Sequence, residues 1–209
     1  NDSFGYFAGG TPGPKSTVDR IDYLNDTATA SPKGLLSFAR NSLSATGNAS
    51  FGYFGGGEPG TKSSVDRIDY SNDTATAVAK GPLTAAKKYS SATGNTNFGY
   101  FAGGFTSDNI STVDRIDYSN DTPTASVKGP LSVARRGSSA TGNASFGYFG
   151  GGDPSGSTLD RIDYSNDTAT ASPKGPLSLA RISLAATGNS DFGYFGGGNT
   201  GSTVSTVDR

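Results

Sequence analysis

The sequence predicts an all-β fold: a β-propeller of four-stranded antiparallel blades, with about four and a half blades in this chain. Three observations lead there. A unit of about 47 residues recurs along the chain. Each unit holds four short extended runs separated by turn residues. Gly and Pro return at fixed points in every unit and leave no room for a long helix.

The repeat is read directly from its anchors. FGYF begins at Phe4, Phe51, Phe98, Phe146 and Phe192. Val18, Val65, Val113, Leu159 and Val207 each open a (V/L)DR run, and DRIDY is complete four times. NDT follows at Asn25, Asn72, Asn120 and Asn166, and TGN at Thr46, Thr93, Thr141 and Thr187. The units run 4–50, 51–97, 98–145, 146–191 and 192–209, the last partial, within a single tandem-repeat domain 1–209 or a fragment of one. Identity this high between units points to recent internal duplication. The chain opens at Asn1 and stops mid-unit at Arg209, so a longer polypeptide is expected around it.

Taking the second blade in order, the inner strand is expected over 42–47 (SLSATG) and the next over 51–55 (FGYFG). A Gly-rich loop, 56–64, leads to a third strand over 65–70 (VDRIDY). Ser71-Asn72-Asp73 turns the chain into a fourth over 74–78 (TATAV), and Lys80-Gly81-Pro82 returns it to the next unit. The run 83–88 has length for one helical turn at most. Strands of about 5–6 residues with turn signals every 8–12 residues read as all-β. Four strands in this period match a propeller blade, whereas leucine-rich, ankyrin and tetratricopeptide units are shorter, at about 20–34 residues. By this count the first blade lacks its innermost strand and the last its outermost. Either residues outside the chain complete the ring, or the inner strand of the last unit closes a four-bladed ring and leaves 192–209 over.

Composition narrows the function classes. The 31 Gly approach a low-complexity chain, but 12 Phe and 10 Tyr recur at fixed positions, which disordered segments lack. A net charge of −1 without a basic cluster gives nucleic-acid binding no electrostatic footing. No apolar run approaches the ~18 residues of a membrane span. The absence of His and Cys removes the common zinc ligands, disulfides and the usual general base, and no cofactor is expected.

Several constellations recur. Strand alternation puts Arg20 with Asp22 on one face, and Asp19 with Ile21 on the other. A charge buried between blades needs a partner, so each arginine is expected to pair with an Asp of the same or the adjacent blade, in a ring of inter-blade ion pairs over Arg20, Asp22, Arg67, Asp69, Arg115, Asp117, Arg161 and Asp163. FGYF reads as inter-blade packing, with Phe51 and Tyr53 on one face and Phe54 on the other. NDT matches the N-glycosylation pattern and, equally, an Asx turn between strands, which is the preferred reading. No unit shows the oxygen-rich spacing of a calcium loop. A carboxylate pair for glycoside hydrolysis would have to come from Glu58, the only Glu, with Asp108 or Asp153.

The pattern resembles the kelch repeat. The double Gly of that family stands at Gly9-Gly10, Gly56-Gly57, Gly103-Gly104, Gly151-Gly152 and Gly197-Gly198. The strand close is Ile21-Asp22, Ile68-Asp69, Ile116-Asp117 and Ile162-Asp163, and the basic position is Arg40, Lys87, Arg135 and Arg181. No Trp follows NDT, and Ile stands for the usual Tyr. The FGYFGGG and DRIDYSNDTATA units are also similar to repeats of structural and tail-fibre proteins of marine cyanobacterial phages. These resemblances imply a non-catalytic structural and recognition module, virion-borne or extracellular, that meets other virion proteins or a cell-surface glycan or protein. A kelch-type protein-interaction adaptor is the alternative, and a propeller glycoside hydrolase the third. Neither nucleic-acid binding nor membrane insertion is expected.

Variation between units gathers in two places: the loop after FGYF and the entry to the inner strand. In a four-stranded meander both lie at one end of the blade, where loops on a rigid scaffold carry recognition. The candidate ligand contacts are therefore Lys62, Lys88, Tyr89, Phe105, Asp108, Asn109 and Arg136.

Overall fold

The computed structural model describes residues 1–154 and 156–209. The chain forms five small antiparallel sheets in propeller arrangement, with 3% helix. Blade 1 holds β1 (Phe4–Ala8), β2 (Val18–Asp22) and β3 (Ser31–Pro32). Blade 2 holds β4 (Ser44–Gly47), β5 (Phe51–Gly55), β6 (Val65–Asp69) and β7 (Val78–Lys80). Blade 3 repeats it with β8 (Ser91–Gly94), β9 (Phe98–Ala102), β10 (Val113–Asp117) and β11 (Ser126–Lys128). Blade 4 has β12 (Ser139–Gly142), β13 (Phe146–Gly150), β14 (Leu159–Asp163) and β15 (Ser172–Pro173). Blade 5 has β16 (Ala185–Gly188), β17 (Gly193–Gly196) and β18 (Val207–Asp208).

The blade composition of three, four, four, four and three strands is the one the repeat count predicts. The closed four-bladed alternative is overturned. The inner strand β16 pairs with β17 of its own blade, and β1 pairs only with β2. Inner strands β4, β8, β12 and β16 stand side by side at the axis. Hydroxyl pairs Ser44–Ser90 and Ser91–Ser138, each 2.8 Å, tie neighbours together there.

The fourth strand is displaced from its expected place. Residues 74–77 lie outside it, and β7 starts at Val78. Asp69 accepts from the Ser71 amide and hydroxyl and caps a 3₁₀ turn at Tyr70–Asn72. The segment after that turn hydrogen-bonds across to the preceding blade: Gly34 N donates to Asp73 O, and Ala77 N to Leu35 O. Its backbone is thus satisfied by a neighbour rather than by its own sheet, which period-two reasoning does not foresee. Residues 83–88 contain no helix.

Register decides what each face meets. Tyr53 sits opposite Arg67 and Phe54 opposite Asp66, and the same pairing recurs in blades 3 and 4. The tyrosine face looks to the following blade and the phenylalanine face to the preceding one. Val18 and Leu36 of blade 1 pack with Phe54, Ile68 and Ala77 of blade 2. Tyr53, Val65 and Leu83 pack with Phe101, Ile116, Tyr118 and Ala125 in the same way, and Tyr100, Val113 and Leu131 with Phe149, Ile162 and Ala171. The apolar core therefore lies between sheets, and each blade is stable only against a neighbour. Phe7 of blade 1 is 61% exposed, while its equivalent Phe101, packed on blade 2, is fully buried.

Candidate functional site

Two kinds of charged cluster hold the blades, and neither matches the expected pairing in full. Arg20, Arg67 and Arg115 reach Asp73, Asp121 and Asp167 of the following blade at 2.8, 2.8 and 2.7 Å. The hydroxyls of Tyr6, Tyr53 and Tyr100 donate to those same carboxylates at 2.9, 2.8 and 2.9 Å. Lys33, Lys80 and Lys128 complete each set at 3.5, 3.1 and 3.2 Å. The assignment of Asp22, Asp69, Asp117 and Asp163 as the ion partners is corrected: they form no salt bridge and accept from the turn that follows them. The physical reason is that they end the strand, where the nearest donors are the local turn amides. The partner is the Asp of NDT, reached across the interface. Arg161 occupies the equivalent place in blade 4, opposite Tyr148. Each arginine also stacks on a phenylalanine of its own sheet, as Arg67 does on Phe51 at 4.3 Å and Arg161 on Phe146 at 4.3 Å.

A deeper cluster, which the sequence shows only as a recurring cation, lies between the entry to each inner strand and the following sheet. Arg40 and Asp66 pair at 2.8 Å with both side chains fully buried, as do Arg135 and Asp160 at 2.9 Å and Lys87 and Asp114 at 3.0 Å. Arg40 also donates to the Phe54 and Ser64 carbonyls. Burial pushes Arg40, Lys87 and Arg135 below their ordinary values, opposed by the facing carboxylate. The signal was available, since a cation recurs at this position in all four units.

Tyrosines in the interfaces are pushed up by burial, Tyr6 and Tyr70 to about 12. Burial opposes the charge on Asp121, yet bonds from Tyr53 and Lys80 hold its carboxyl below the usual range.

The variable residues form an arc at one end of the blades. The loop after FGYF pairs with the entry to the inner strand at Asn41–Glu58, Lys88–Phe105, Arg136–Asp153 and Ile182–Asn199. Neighbouring entries are chained through the backbone: Tyr89 N donates to Ser42 O at 3.0 Å, Gly137 N to Tyr89 O at 2.8 Å, and Ser183 N to Gly137 O at 3.0 Å. All four of these residues adopt positive φ, between 55° and 64°. Lys88, Tyr89, Phe105 and Arg136, with Asp153 and Ile182, line one cleft of about 560 Å³.

Within the arc, blade 2 meets blade 3 through Glu58, which accepts from Lys88 Nζ at 2.7 Å and from Tyr89 and Ser42 hydroxyls. The Lys88 bond is the largest of the influences that hold the Glu58 carboxyl down. Blade 3 meets blade 4 through Arg136, 4.9 Å above the Phe105 ring and 3.3 Å from Asp153. Asn109 joins this junction by donating to the Asp153 carbonyl at 3.1 Å. Asp108 is exposed in the adjoining turn, and its carbonyl accepts from the Thr106 amide. Lys62 stands apart from the cleft, 5.9 Å above the Phe38 ring. The structure thus brings four of the seven candidates into one cleft, with Asn109 braced behind it.

Among the described residues, no helix is long and apolar enough to cross a membrane. No family model matches the chain, and no curated protein matches its sequence. The fold and site define a β-propeller with a variable polar and aromatic rim.

Proposed function

We propose that this propeller is a non-catalytic structural and recognition module of the kelch-like type, serving a virion or tail fibre outside the cell. Its rim binds a cell-surface glycan or surface protein. The observation that supports this reading is the convergence of unit-specific side chains. Lys88, Tyr89, Phe105 and Arg136 differ from their counterparts in other units, yet they line a single cleft. Residues that pack the blades are repeated almost unchanged. Tyr89 and Phe105 offer faces for stacking on a sugar ring or an apolar side chain, and Arg136 and Lys88 offer charged donors beside them.

The test exchanges rim residues for those found at equivalent positions in other units: Tyr89→Ser, Phe105→Asn and Arg136→Asn. Circular dichroism and melting temperature are expected to stay unchanged, while binding to a glycan array and to host cells is lost. Binding that survives the triple exchange overturns the assignment of the rim. Lysate capture of a cytosolic protein, with no glycan or cell binding, overturns the virion reading in favour of an adaptor.

A further inference from the structure

The two carboxylates of the rim are employed differently. Glu58 of blade 2 accepts three side-chain bonds, from Lys88 Nζ at 2.7 Å, the Ser42 hydroxyl at 3.1 Å and the Tyr89 hydroxyl at 3.2 Å. Asp153 holds the equivalent place in blade 4, on its own entry residue Arg136. There the following entry supplies Ile182 and Ser183 where blade 3 supplies Lys88 and Tyr89. Among the described residues, the Asp153 carboxylate meets only Arg136, at 3.3 Å, against 2.7 and 2.8 Å for interface arginines. The two side chains are 40% and 44% exposed, so their mutual attraction is weak. A guanidinium has five donors and a carboxylate about four acceptor sites, so both keep most of their capacity for a ligand.

The cleft beside this pair opens because of one residue. Gly137 shares its left-handed backbone with Ser42, Tyr89 and Ser183 at the equivalent positions, but it brings no side chain. A Cβ there would have nothing within 4 Å. Where blade 3 places the Tyr89 ring, blade 4 leaves room, and the resulting space of about 560 Å³ falls within the roughly 300–1,000 Å³ of small-molecule clefts. Tyr89 and Ile182, 38% and 39% exposed, supply apolar surface along it. Its charges balance: Lys88 is engaged by Glu58, and Arg136 faces Asp153. An anionic ligand would meet Asp153 without a cation to spare, and like charges brought together disfavour it.

We infer that this cleft seats one uncharged sugar ring of a glycan, with Gly137 as the residue that admits it. The inference rests on the rim reading above and names its ligand class. Two neighbouring ring hydroxyls donate to Asp153, and Arg136 donates to their oxygens. The C–H face of the ring packs on Tyr89 and Ile182. An uncharged polyhydroxylated ring is the ligand that uses an open donor, an open acceptor and an apolar wall together without unbalancing the charge.

The test titrates the 209-residue chain by NMR with methyl glycosides of glucose, galactose, mannose and fucose, and with that of glucuronic acid as the charged counterpart. Saturable shifts at the Arg136, Gly137 and Ile182 amides are expected with at least one neutral glycoside and not with the glucuronide. Asp153→Asn is expected to weaken the neutral glycoside about tenfold or more and to admit the glucuronide. Gly137→Ser and Gly137→Tyr introduce residues that the equivalent positions already carry, at similar backbone cost, so the fold is retained by circular dichroism. The loss is expected to grow with side-chain size, partial for Ser and complete for Tyr. Preference for the glucuronide, equal loss with Ser and Tyr, or neutral binding indifferent to Asp153→Asn overturns the inference and leaves the rim reading standing. No glycoside bound also overturns it, and the rim reading is then decided separately by whether host-cell binding exists and is lost in the triple exchange.

Discussion

Replacing Arg135 by Ala tests the buried cation most directly. Arg135 and Asp160 are both fully buried, 2.9 Å apart. The guanidinium also donates to Phe149 O at 2.9 Å and Thr158 O at 3.2 Å. Its removal leaves Asp160 with only the Ser132 amide and hydroxyl and strips both carbonyls of this donor. A buried charge deprived of its partner costs about 3–5 kcal/mol. In urea, with a slope of about 1–3 kcal/mol per molar, that is a midpoint lowered by roughly 2 M. Arg67→Ala is the control. Its side chain is 23% exposed, and Lys80 still faces the Asp121 it leaves, so about 1–2 kcal/mol is expected. Arg135→Lys should fall between, because Lys87 does this work in blade 3 with a single amine reaching Asp114 and Phe101 O. The measurement is urea unfolding followed by circular dichroism. If Arg135→Ala costs no more than Arg67→Ala, the buried pair is not what holds the connection to the sheet, and the reasoning fails.

The interface glycines and the tyrosines give two further expectations. Gly129→Ala drives a methyl group into the Ala169 carbonyl and should cost about 1–3 kcal/mol, whereas Gly175→Ala, with open space around it, should stay within about 0.5 kcal/mol; equal melting temperatures for the two would refute the inter-blade backbone pairing. The raised values of Tyr6 and Tyr70 set a pH dependence: with folded values of about 12 against an ordinary 10.0, the folded chain holds protons that the unfolded chain releases. Their contribution is therefore complete below pH 10 and lost as pH rises towards 12. Tyrosinate absorbance should appear later in the folded chain than in urea, and coincident titrations would show that the rings are not buried as described.

The repeat itself made most of the architecture legible. Unit boundaries, the FGYF and VDRID strands and their facing residues follow from period-two alternation and from spacing alone. Alternation names the face on which a side chain lies, but not what stands across from it. Alternation puts Arg67 in an interface and calls for an Asp of the same or the adjacent blade, but it does not pick out Asp121, 54 residues away, over Asp69. The displaced fourth strand has the same origin. Residues 74–77 carry strand-like Ala and Thr, but their backbone partner is a neighbouring blade, and no local pattern encodes that partner. Arg40 and Lys87 were visible as recurring cations. Their depth was not, because burial at that connection arises only when the following sheet folds over it. The variable rim is the most legible feature, since comparing units within one chain separates positions held by packing from those left free.

The entry residues Ser42, Tyr89, Gly137 and Ser183 show how that freedom arises. All four hold a left-handed backbone, a conformation that costs a non-glycine residue about 1–2 kcal/mol. A packing argument would put glycine at every one of them, yet glycine stands only at 137. The backbone conformation is imposed instead by the amide-to-carbonyl chain that links successive entries around the axis, and by the bridges from each entry to its own loop. With the conformation set from outside, the side chain no longer contributes to specifying it, and its identity is released for other use. Tyr89 is the plainest case: a bulky aromatic in a strained position, held over a cleft, with its hydroxyl donating to Glu58 at 3.2 Å. Ser42 and Ser183 hold the same conformation without such a ring, so it is the presence of Tyr89 at this position, not the strain itself, that the proposed recognition role would account for.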